Sequence, residues 1–550
     1  MSNSSSSNTR IDGLMLKNLV EAALTWLRTN QQVVNSLNVF PVPDGDTGTN
    51  MVLTMQSAWN EIKDSGQRHV GQMSAAISQG ALMGARGNSG VILSQIWRGM
   101  ARALHNLESM DGAAFVHALA EARDTAYKGV VRPVEGTILT VIKDVAAAAE
   151  EALQKTDDPF QILEHIVPAA DTSVQRTPEL LPILKQAGVV DSGGKGLFFI
   201  LEGMLRYVKG LPLDTPLVTV QPLSALKLRE TMEVIEEGQD FEVVVDFYPS
   251  QPLDLQAFYS RLEQIGTSIQ VGEGDGMYRM HIHVPLEKRY EPIDYIMGLG
   301  TITKVAMENL QAQMSEATQG KGEHLELARV EPGQVAVVAV SPGRGLSRIF
   351  ASLGVAAIVE GGQTMNPSTQ EILAAFENLP TDKVIILPNN KNIILAANQA
   401  KELTVKQVVV VPSRTIPQGL AAMLAYEPAG DLEALAARMA QMMEQVRSGE
   451  ITTATRSVDL DGVRVENGQI IALLDGKLVH AAPSLDEALL GLLEKASAEE
   501  YELITLFYGA DLSHSEANRL ADLVREHYPR QEVELQEGGQ PNYALLISIE

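Results

Sequence analysis

From about residue 11 to residue 210 the apolar positions recur every three to four residues, the spacing that lines one face of a helix. Leu14, Met15, Leu19, Ala22, Leu24 and Leu27 form one such stripe, and Ile138, Val141, Ile142 and Val145 another. Pro133, Pro159 and Pro178 are read as helix starts or connections, where a missing N–H costs least. The pattern predicts an all-α domain of about eight helices over residues 11–212, broken at Gly210-Leu211-Pro212 with Pro216 and Pro222 beyond it.

The period then changes. FEVVVDFYP (Phe241 to Pro249) and MYRMHIHVPL (Met277 to Leu286) read as strands, Leu253 to Ile265 as a helix, and Pro292 through Gln313 as a further helix. These make a small α+β domain over residues 213–331. From residue 332 to 550 short apolar runs alternate with helical stretches: VAVVAV, AAIVE, VIILP and VVVVP. Continuous rather than alternating runs predict strands buried on both faces, hence a parallel sheet covered by helices. A second strand-rich half follows, with IIALLDGKLVHAA as an Asp-Gly hairpin. Glu360-Gly361-Gly362-Gln363 is echoed by Glu537-Gly538-Gly539-Gln540, consistent with matching turns in two halves.

A chain of 550 residues is too long for one core. With 43 basic and 69 acidic residues the formal charge is −26, which argues against nucleic acid as a partner. There are no cysteines, which excludes disulfides and thiolate metal sites and fits a reducing cytoplasm. The opening MSNSSSSNTR is polar throughout and reads as a disordered start over residues 1–10 rather than a signal peptide. No uninterrupted apolar run approaches the roughly 18 residues of a transmembrane segment. The expectation is a soluble, acidic, cytoplasmic, multidomain protein.

Candidate chemistry starts in NVFPVPDGDTGTNM, Asn38 to Met51. Asp44 and Asp46 stand two residues apart on a Pro- and Gly-rich loop, and close carboxylates repel unless a cation lies between them. Hard oxygen ligands suit magnesium, whose shell substrate phosphates complete. Thr47, Gly48, Thr49 and Asn50 would supply donors to those phosphates. An EF-hand fails on spacing, since position five is Gly48 and position twelve is Met55. No glycine-rich run ends in Gly-Lys-Ser/Thr, so there is no P-loop. An ordinary structural turn stands level with the nucleotide–metal reading on these residues alone.

Three more glycine loops precede helices: ALMGARGNSGVILSQ with Gly84, Arg86, Gly87, Asn88, Ser89 and Gly90; RPVEGTILT with Arg132, Glu135, Gly136 and Thr137; and VVDSGGKGLFF with Asp191, Ser192, Gly193, Gly194, Lys195 and Gly196. Glycine admits a ligand close to the backbone, and helix N-termini attract phosphate oxygens. For any one loop, capping and separating packed helices is the simpler reading. Four in one helical domain favour a polar rim around a nucleotide.

Together these four motifs resemble the N-terminal domain of the A subunit of fatty acid kinase (FakA-like), which is related to the nucleotide-binding L subunit of dihydroxyacetone kinase. GGQTMNPST, LPNNKNI, SRTIPQG and the closing EGGQP extend the resemblance over nearly the whole chain, least so in the middle. It implies an eight-helix barrel (DhaL-like) holding ATP and magnesium at its rim, a middle α+β domain, and a C-terminal α/β domain similar to the DegV/EDD type. By resemblance Asp44 and Asp46 hold magnesium and carry catalysis. Asn38 is the nearest counterpart of a third upstream aspartate, at a slightly longer spacing. Thr47, Gly48, Thr49 and Asn50 would contact phosphates, with Gly87, Asn88, Ser89 and Gly90 covering the nucleotide. Gly136 and Thr137 belong to the same rim, and Asp191, Gly193 and Gly194 would close over the adenine–ribose side. Arg86, Arg132 and Lys195 are candidates for phosphate charge, or plain surface cations. Relatives can carry zinc in the middle domain on one cysteine and two histidines. Here His281 and His283 keep the H-x-H pattern, and Asp240 is the substitute for the missing cysteine. Two histidines on one strand face without metal is the reading the residues favour.

The implied reaction is ATP plus fatty acid giving acyl phosphate and ADP. The fatty acid is expected on a separate carrier protein, and the kinase as a homodimer. Two alternatives stay open: a kinase for a small hydroxyketone such as dihydroxyacetone, and a non-enzymatic adaptor regulated by nucleotide. Residues 332–550 are expected to dock the carrier rather than bind ATP. The polar segments Gly361 to Thr369, Pro388 to Asn392 and Ser413 to Gly419 would converge beyond the carboxyl ends of the strands.

Overall fold

A computed structural model of the chain describes residues 10–38, 45–130, 132–213, 221–222, 240–274, 277–309, 325–362, 366–460 and 462–550. The polar opening residues, Asp44 and Gln363 therefore lie outside the described residues, as does the end of the helix expected to run to Gln313.

The N-terminal part is helical: α1 (Gly13–Thr29), α2 (Gln31–Ser36), α3 (Thr47–Ile62), α4 (Val70–Met83), α5 (Gly87–Leu104), α6 (Gly112–Lys128), α7 (Ile138–Leu153), α8 (Pro159–Leu180), α9 (Pro182–Ala187) and α10 (Ser192–Val208). Of these, only α2 and α9 are as short as six residues. Aspartates set several starts: Asp12, Asp111, Asp158 and Asp191 each accept a first-turn amide, a cap worth about 1 kcal/mol. From α3 to α8 each long helix packs on the next, α8 packs on α10, and α10 and α3 both pack on α1. The ring closes around a core that includes Trp26, Met51, Met55, Ile77 and Phe199, all fully buried. Pro178, expected at a helix start or in a connection, lies inside the last turn of α8. The carbonyl of Val174, which a proline nitrogen cannot satisfy, accepts from Thr177 Oγ1 at 2.7 Å instead.

Residues 217–324 form a compact unit of their own. Its strands are β1 (Gln221–Pro222), β2 (Phe241–Pro249), β3 (Thr267–Gly274), β4 (Met277–Val284) and β5 (Gly300–Asn309), in the order β1-β3-β4-β2-β5. Helices α11 (Leu255–Ile265) and α12 (Glu291–Met297) contribute Phe258 and Ile296 to an apolar core that Phe247 of β2 shares. Here one expectation fails: the helix read from Pro292 onward stops at Met297, and Gly300–Asn309 is a strand paired antiparallel with β2. Gly298 and Gly300 interrupt the helical run. The β-branched Thr301, Ile302, Thr303 and Val305 then favour the pleated conformation.

Residues 325–550 share one compact unit with the helical part. Strands β6 (Val335–Ser341), β7 (Ala357–Glu360), β8 (Lys383–Leu387) and β9 (Gln407–Val410) form an all-parallel sheet in the order β7-β6-β8-β9. Every residue of β6 is buried, as its unbroken apolar run requires. The later strands are β10 (Arg447–Thr453), β11 (Val458–Leu460), β12 (Val463–Val465), β13 (Ile470–Leu474), β14 (Lys477–Ala482), β15 (Leu503–Tyr508), β16 (Glu532–Glu537) and β17 (Tyr543–Ile549). A mixed sheet runs β14-β13-β10-β17-β15-β16, and β11 pairs with β12 alone. The Asp-Gly hairpin joins β13 to β14, with Asp475 and Gly476 at φ 50° and 76° as a type I′ turn needs. The two Glu-Gly-Gly echoes both follow strands, and Gly361, Gly362 and Gln540 line one cleft with Pro388, Asn389, Asn390 and Thr415. The strand-end loops of this region thus converge, as their order along the sheet predicts.

Candidate functional site

The helical part and the parallel sheet meet along a buried seam. Ala85 and Val91, flanking the start of α5, belong to one apolar cluster with Val338, Val340, Ile372 and Phe376. Beside it Thr369 N donates to Ala85 O at 3.1 Å, Gln95 Nε2 to Gln399 Oε1 at 2.8 Å, and Asn88 Nδ2 to Asn392 Oδ1 at 3.3 Å. Arg86 reaches across to Asn366 O at 2.9 Å and to Glu371 at 3.1 Å.

At this seam lies the first glycine loop. Asp46 is the N-cap residue of α3, yet its carboxylate makes no capping bond. It is 5% exposed and accepts a hydrogen bond from Asn366 Nδ2. Capping falls to Asn35, whose Oδ1 accepts Gly48 N at 2.7 Å and Thr49 N at 3.2 Å. Gln31 and Asn35 also donate to Thr49 Oγ1, at 2.9 and 3.1 Å. The amides of Gly48 and Thr49, expected for phosphate, are thus engaged within the fold. Asn38 Oδ1 accepts from Thr47 Oγ1 at 2.9 Å.

The other loops gather around this one. Gly87 opens α5 at φ 57°, and a Cβ there would come within 2.6 Å of Asn50 Nδ2, so the second loop rests directly on the first. The N-cap residue of α5, Arg86, makes no side-chain capping bond, and first-turn amides have no partner within a helix. Gly87, Asn88 and Ser89 therefore present the N–H groups best suited to an anion. In the fourth loop Ser192 Oγ lies 3.2 Å from Thr47 Oγ1 and 3.5 Å from Asn38 Oδ1. Asp191 caps α10 by accepting Gly194 N at 2.6 Å. Burial raises its carboxyl to about 6, against the pull of backbone hydrogen bonds from Gly194 and from Ile138 of the third loop. Gly136 N donates to Thr140 Oγ1 at 2.8 Å, and Thr137 caps α7. Glu135 accepts from Lys143, Thr140 and Tyr127, which hold its carboxyl below the usual range. The N-terminal ends of α3, α5, α7 and α10 thus form one cluster, and their dipoles favour negative charge there.

Of the candidate cations, Arg86 pairs with Glu371 across the seam. Lys195 pairs with Asp171 at 3.0 Å and lies over the Phe198 ring at 4.1 Å. Arg132 is exposed. A divalent cation fits the oxygen chemistry at Asp46. Its carboxylate is buried, and the adjoining Asn366 Oδ1, also buried, takes no hydrogen-bond donor among the described residues.

The histidines of the middle unit meet a different carboxylate from the expected one. Asp240 Oδ2 accepts from Leu286 N at 2.8 Å, whereas Glu242 stands opposite His283 in the β2–β4 register and 3.4 Å from His281 Nδ1. The two imidazoles lie 4.9 Å apart. Among the described residues no group of three His, Cys, Asp or Glu is arranged to hold a metal ion.

Models of known families match in the same three blocks. A DAK2 domain matches residues 41–206, and the middle and C-terminal regions of FakA-like proteins, those like the A subunit of fatty acid kinase, match residues 236–317 and 336–550. The chain is 38% identical to Protein YloV of Bacillus subtilis over 553 residues, covering 98% of this chain and 99% of that protein. The chain belongs to the FakA-like family of fatty acid kinase. An uncharacterized protein of Staphylococcus saprophyticus is 36% identical, covering 98% of this chain and all of that one. The family is one of kinase-type phosphotransferases. Among solved structures, the dihydroxyacetone kinase of C. freundii in complex with AMP-PNP and Mg2+ is similar at a TM-score of 0.28 and 18% identity, covering 38% of this chain and 36% of that one. DegV, a fatty acid binding protein from Bacillus subtilis, is similar at 0.31 and 14%, covering 39% and 98%. Likenesses at that level do not establish a function. Among the described residues no helix is long and apolar enough to cross a membrane.

The sequence pattern gives no sign of Asn35 or Asn366 as members of this cluster, whereas Ser192 belongs to a glycine loop read from the sequence. Asn35 sits in an ordinary helical stretch. Asn366 stands before a helix-capping Ser368 and Glu371, which marks a helix start but not a partner 320 residues away.

Proposed function

We propose that the chain is the ATP-binding component of a fatty acid kinase, transferring the γ-phosphoryl group of ATP to a fatty carboxylate presented by a separate carrier protein. The observation that carries this reading is the gathering of four glycine loops at the N-termini of α3, α5, α7 and α10 around Asp46, in a chain of the FakA-like family.

Asp46, with Asp44 on the same loop, would hold magnesium, which when bound neutralises charge spreading over the transferring phosphoryl group. The first-turn amides of α5 would orient the phosphates, and the convergent helix dipoles favour their charge. A fatty carboxylate is ionised at neutral pH, so its oxygen needs no base before it bonds to phosphorus as the bond to the ADP oxygen breaks. Catalysis then rests on positioning by the loops. Residues 336–550, with strand-end loops directed to one cleft, would dock the carrier.

The test is ATP consumption by the full chain with a fatty acid alone, with fatty acid on a lipid-carrying protein, and with dihydroxyacetone. Turnover only with carrier-bound fatty acid supports the reading. Turnover with dihydroxyacetone, or none with any acceptor, rejects it.

A further inference from the structure

We propose that Asn366, supplied by the α/β part of the chain, is an oxygen donor to the cation–phosphate assembly at Asp46, so that residues 325–550 complete the kinase site in cis. The inference rests on the nucleotide–metal reading of that loop and goes beyond it, since it moves part of the site out of the helical domain.

The surroundings of Asn366 are firmly tied. Its carbonyl accepts from Arg86 Nη1 at 2.9 Å, and two residues on Ser368 bridges to Arg86 as an isolated antiparallel pair. Thr369 bonds to Ala85 O, and Ser368 and Glu371 form a reciprocal capping box. The side chain is 1% exposed, with its amide nitrogen donating to the Asp46 carboxylate. Its Oδ1 has no donor among the described residues, and leaving such an acceptor buried and unpaired is unfavourable. Gly87 adjoins this amide: a Cβ there would lie at an ordinary contact distance of 3.5 Å from Asn366 Nδ2.

An idle oxygen beside a buried carboxylate selects what can enter. A phosphate oxygen would be repelled by both groups. A divalent cation, or water bound to one, satisfies both, and amide oxygens are normal ligands of such ions. The seam that carries Asn366 is buried and apolar, a rigid support for a donor that must be held in place.

The experiment measures binding of a non-hydrolysable ATP analogue to the full-length protein by calorimetry, with and without Mg2+, and counts bound Mn2+ by electron paramagnetic resonance. Asn366→Ala should weaken Mg2+-dependent nucleotide binding about tenfold or more while leaving metal-free binding unchanged. Asn366→Asp, which keeps an oxygen at the site, should restore Mn2+ binding. Gln399→Ala, which removes a bond elsewhere in the same seam, should bind as the unsubstituted protein does. Binding by Asn366→Ala within twofold of normal, while Asp46→Asn loses metal dependence, overturns the role of Asn366 and leaves the nucleotide–metal reading standing. An equal loss in Asn366→Ala and Gln399→Ala would also overturn it, pointing to the seam instead. Metal dependence intact in Asp46→Asn overturns the underlying reading itself.

Discussion

At the loop end of the helical domain, carboxylates and amides sit on turns at helix N-termini. On the middle sheet they sit on strands, facing one another across the ladder. Both places bury polar groups, since Asp46 is 5% exposed and Asp246 likewise 5%. Strand pairing closes the second set on itself. Asp246 receives Arg279 through two bonds of 2.6 Å, and His281 lies beside Glu242. The turns differ, because the first amides of α5 point outward along the helix axis and Asn366 Oδ1 has no donor among the described residues. Buried polarity on a strand therefore reads as stability, and on a turn at a helix start as a place for a ligand.

That contrast is sharpest under substitution. Asp46→Asn should lower phosphoryl transfer by two to three orders of magnitude, about 3–4 kcal/mol, while circular dichroism and melting stay near normal. A variant with full turnover would remove Asp46 from the site. Arg279→Ala should do the reverse, leaving nucleotide binding intact and destabilising the middle unit by about 3 kcal/mol because Asp246 keeps a buried charge. Hydrogen exchange in β2 and β4 would report it, and unchanged protection there would contradict the assignment.

Acidity separates the regions again. Burial, then the charge of His283, pushes His281 down to about 4, below the roughly 6.5 of an unfolded histidine. Between those values the unfolded chain binds a proton that the fold refuses, so stability falls as pH drops from about 6.5 to 4, by ~3 kcal/mol in all. His281→Asn should flatten that dependence in β4 exchange rates, and an unaltered slope would exclude His281 as its source. Asp191 runs the other way. With a folded value near 6 against 3.8, the fold binds the extra proton, so its contribution weakens as pH rises from about 4 to 6. Asp191→Asn should gain stability relative to the unsubstituted chain over that window, to a smaller extent because Gly194 N keeps an acceptor. A difference constant with pH would show Asp191 already ionised in the fold.

Much of this is legible in the sequence, for identifiable reasons. The continuous apolar runs of β6 and β8 read directly as buried parallel strands, and Pro159 as a helix start, because both depend on neighbours in the chain. The strand Gly300–Asn309 reads as helix because its pairing with β2 lies more than fifty residues back, and local periodicity carries no trace of a partner that distant. The same limit hides part of the site. Thr47, Gly87 and Asp191 announce themselves by glycine loops, but Asn35 and Asn366 reach the first loop only through tertiary packing. Asp240 looks like the companion of His281 and His283 from proximity to a strand start. Alternation gives Asp240 and Glu242 the same face, but Asp240 lies before the first residue of β2 and accepts from Leu286 N, whereas Glu242 is in register with His283.

The central claim is that the loop cluster around Asp46 binds nucleotide through a divalent cation. Calorimetric titration of the full-length protein with a non-hydrolysable ATP analogue, with Mg2+ and then with the metal chelated, tests it most directly. Tight binding that needs Mg2+ and disappears in Asp46→Asn is the predicted result. Affinity unchanged by chelation and by Asp46→Asn would contradict it.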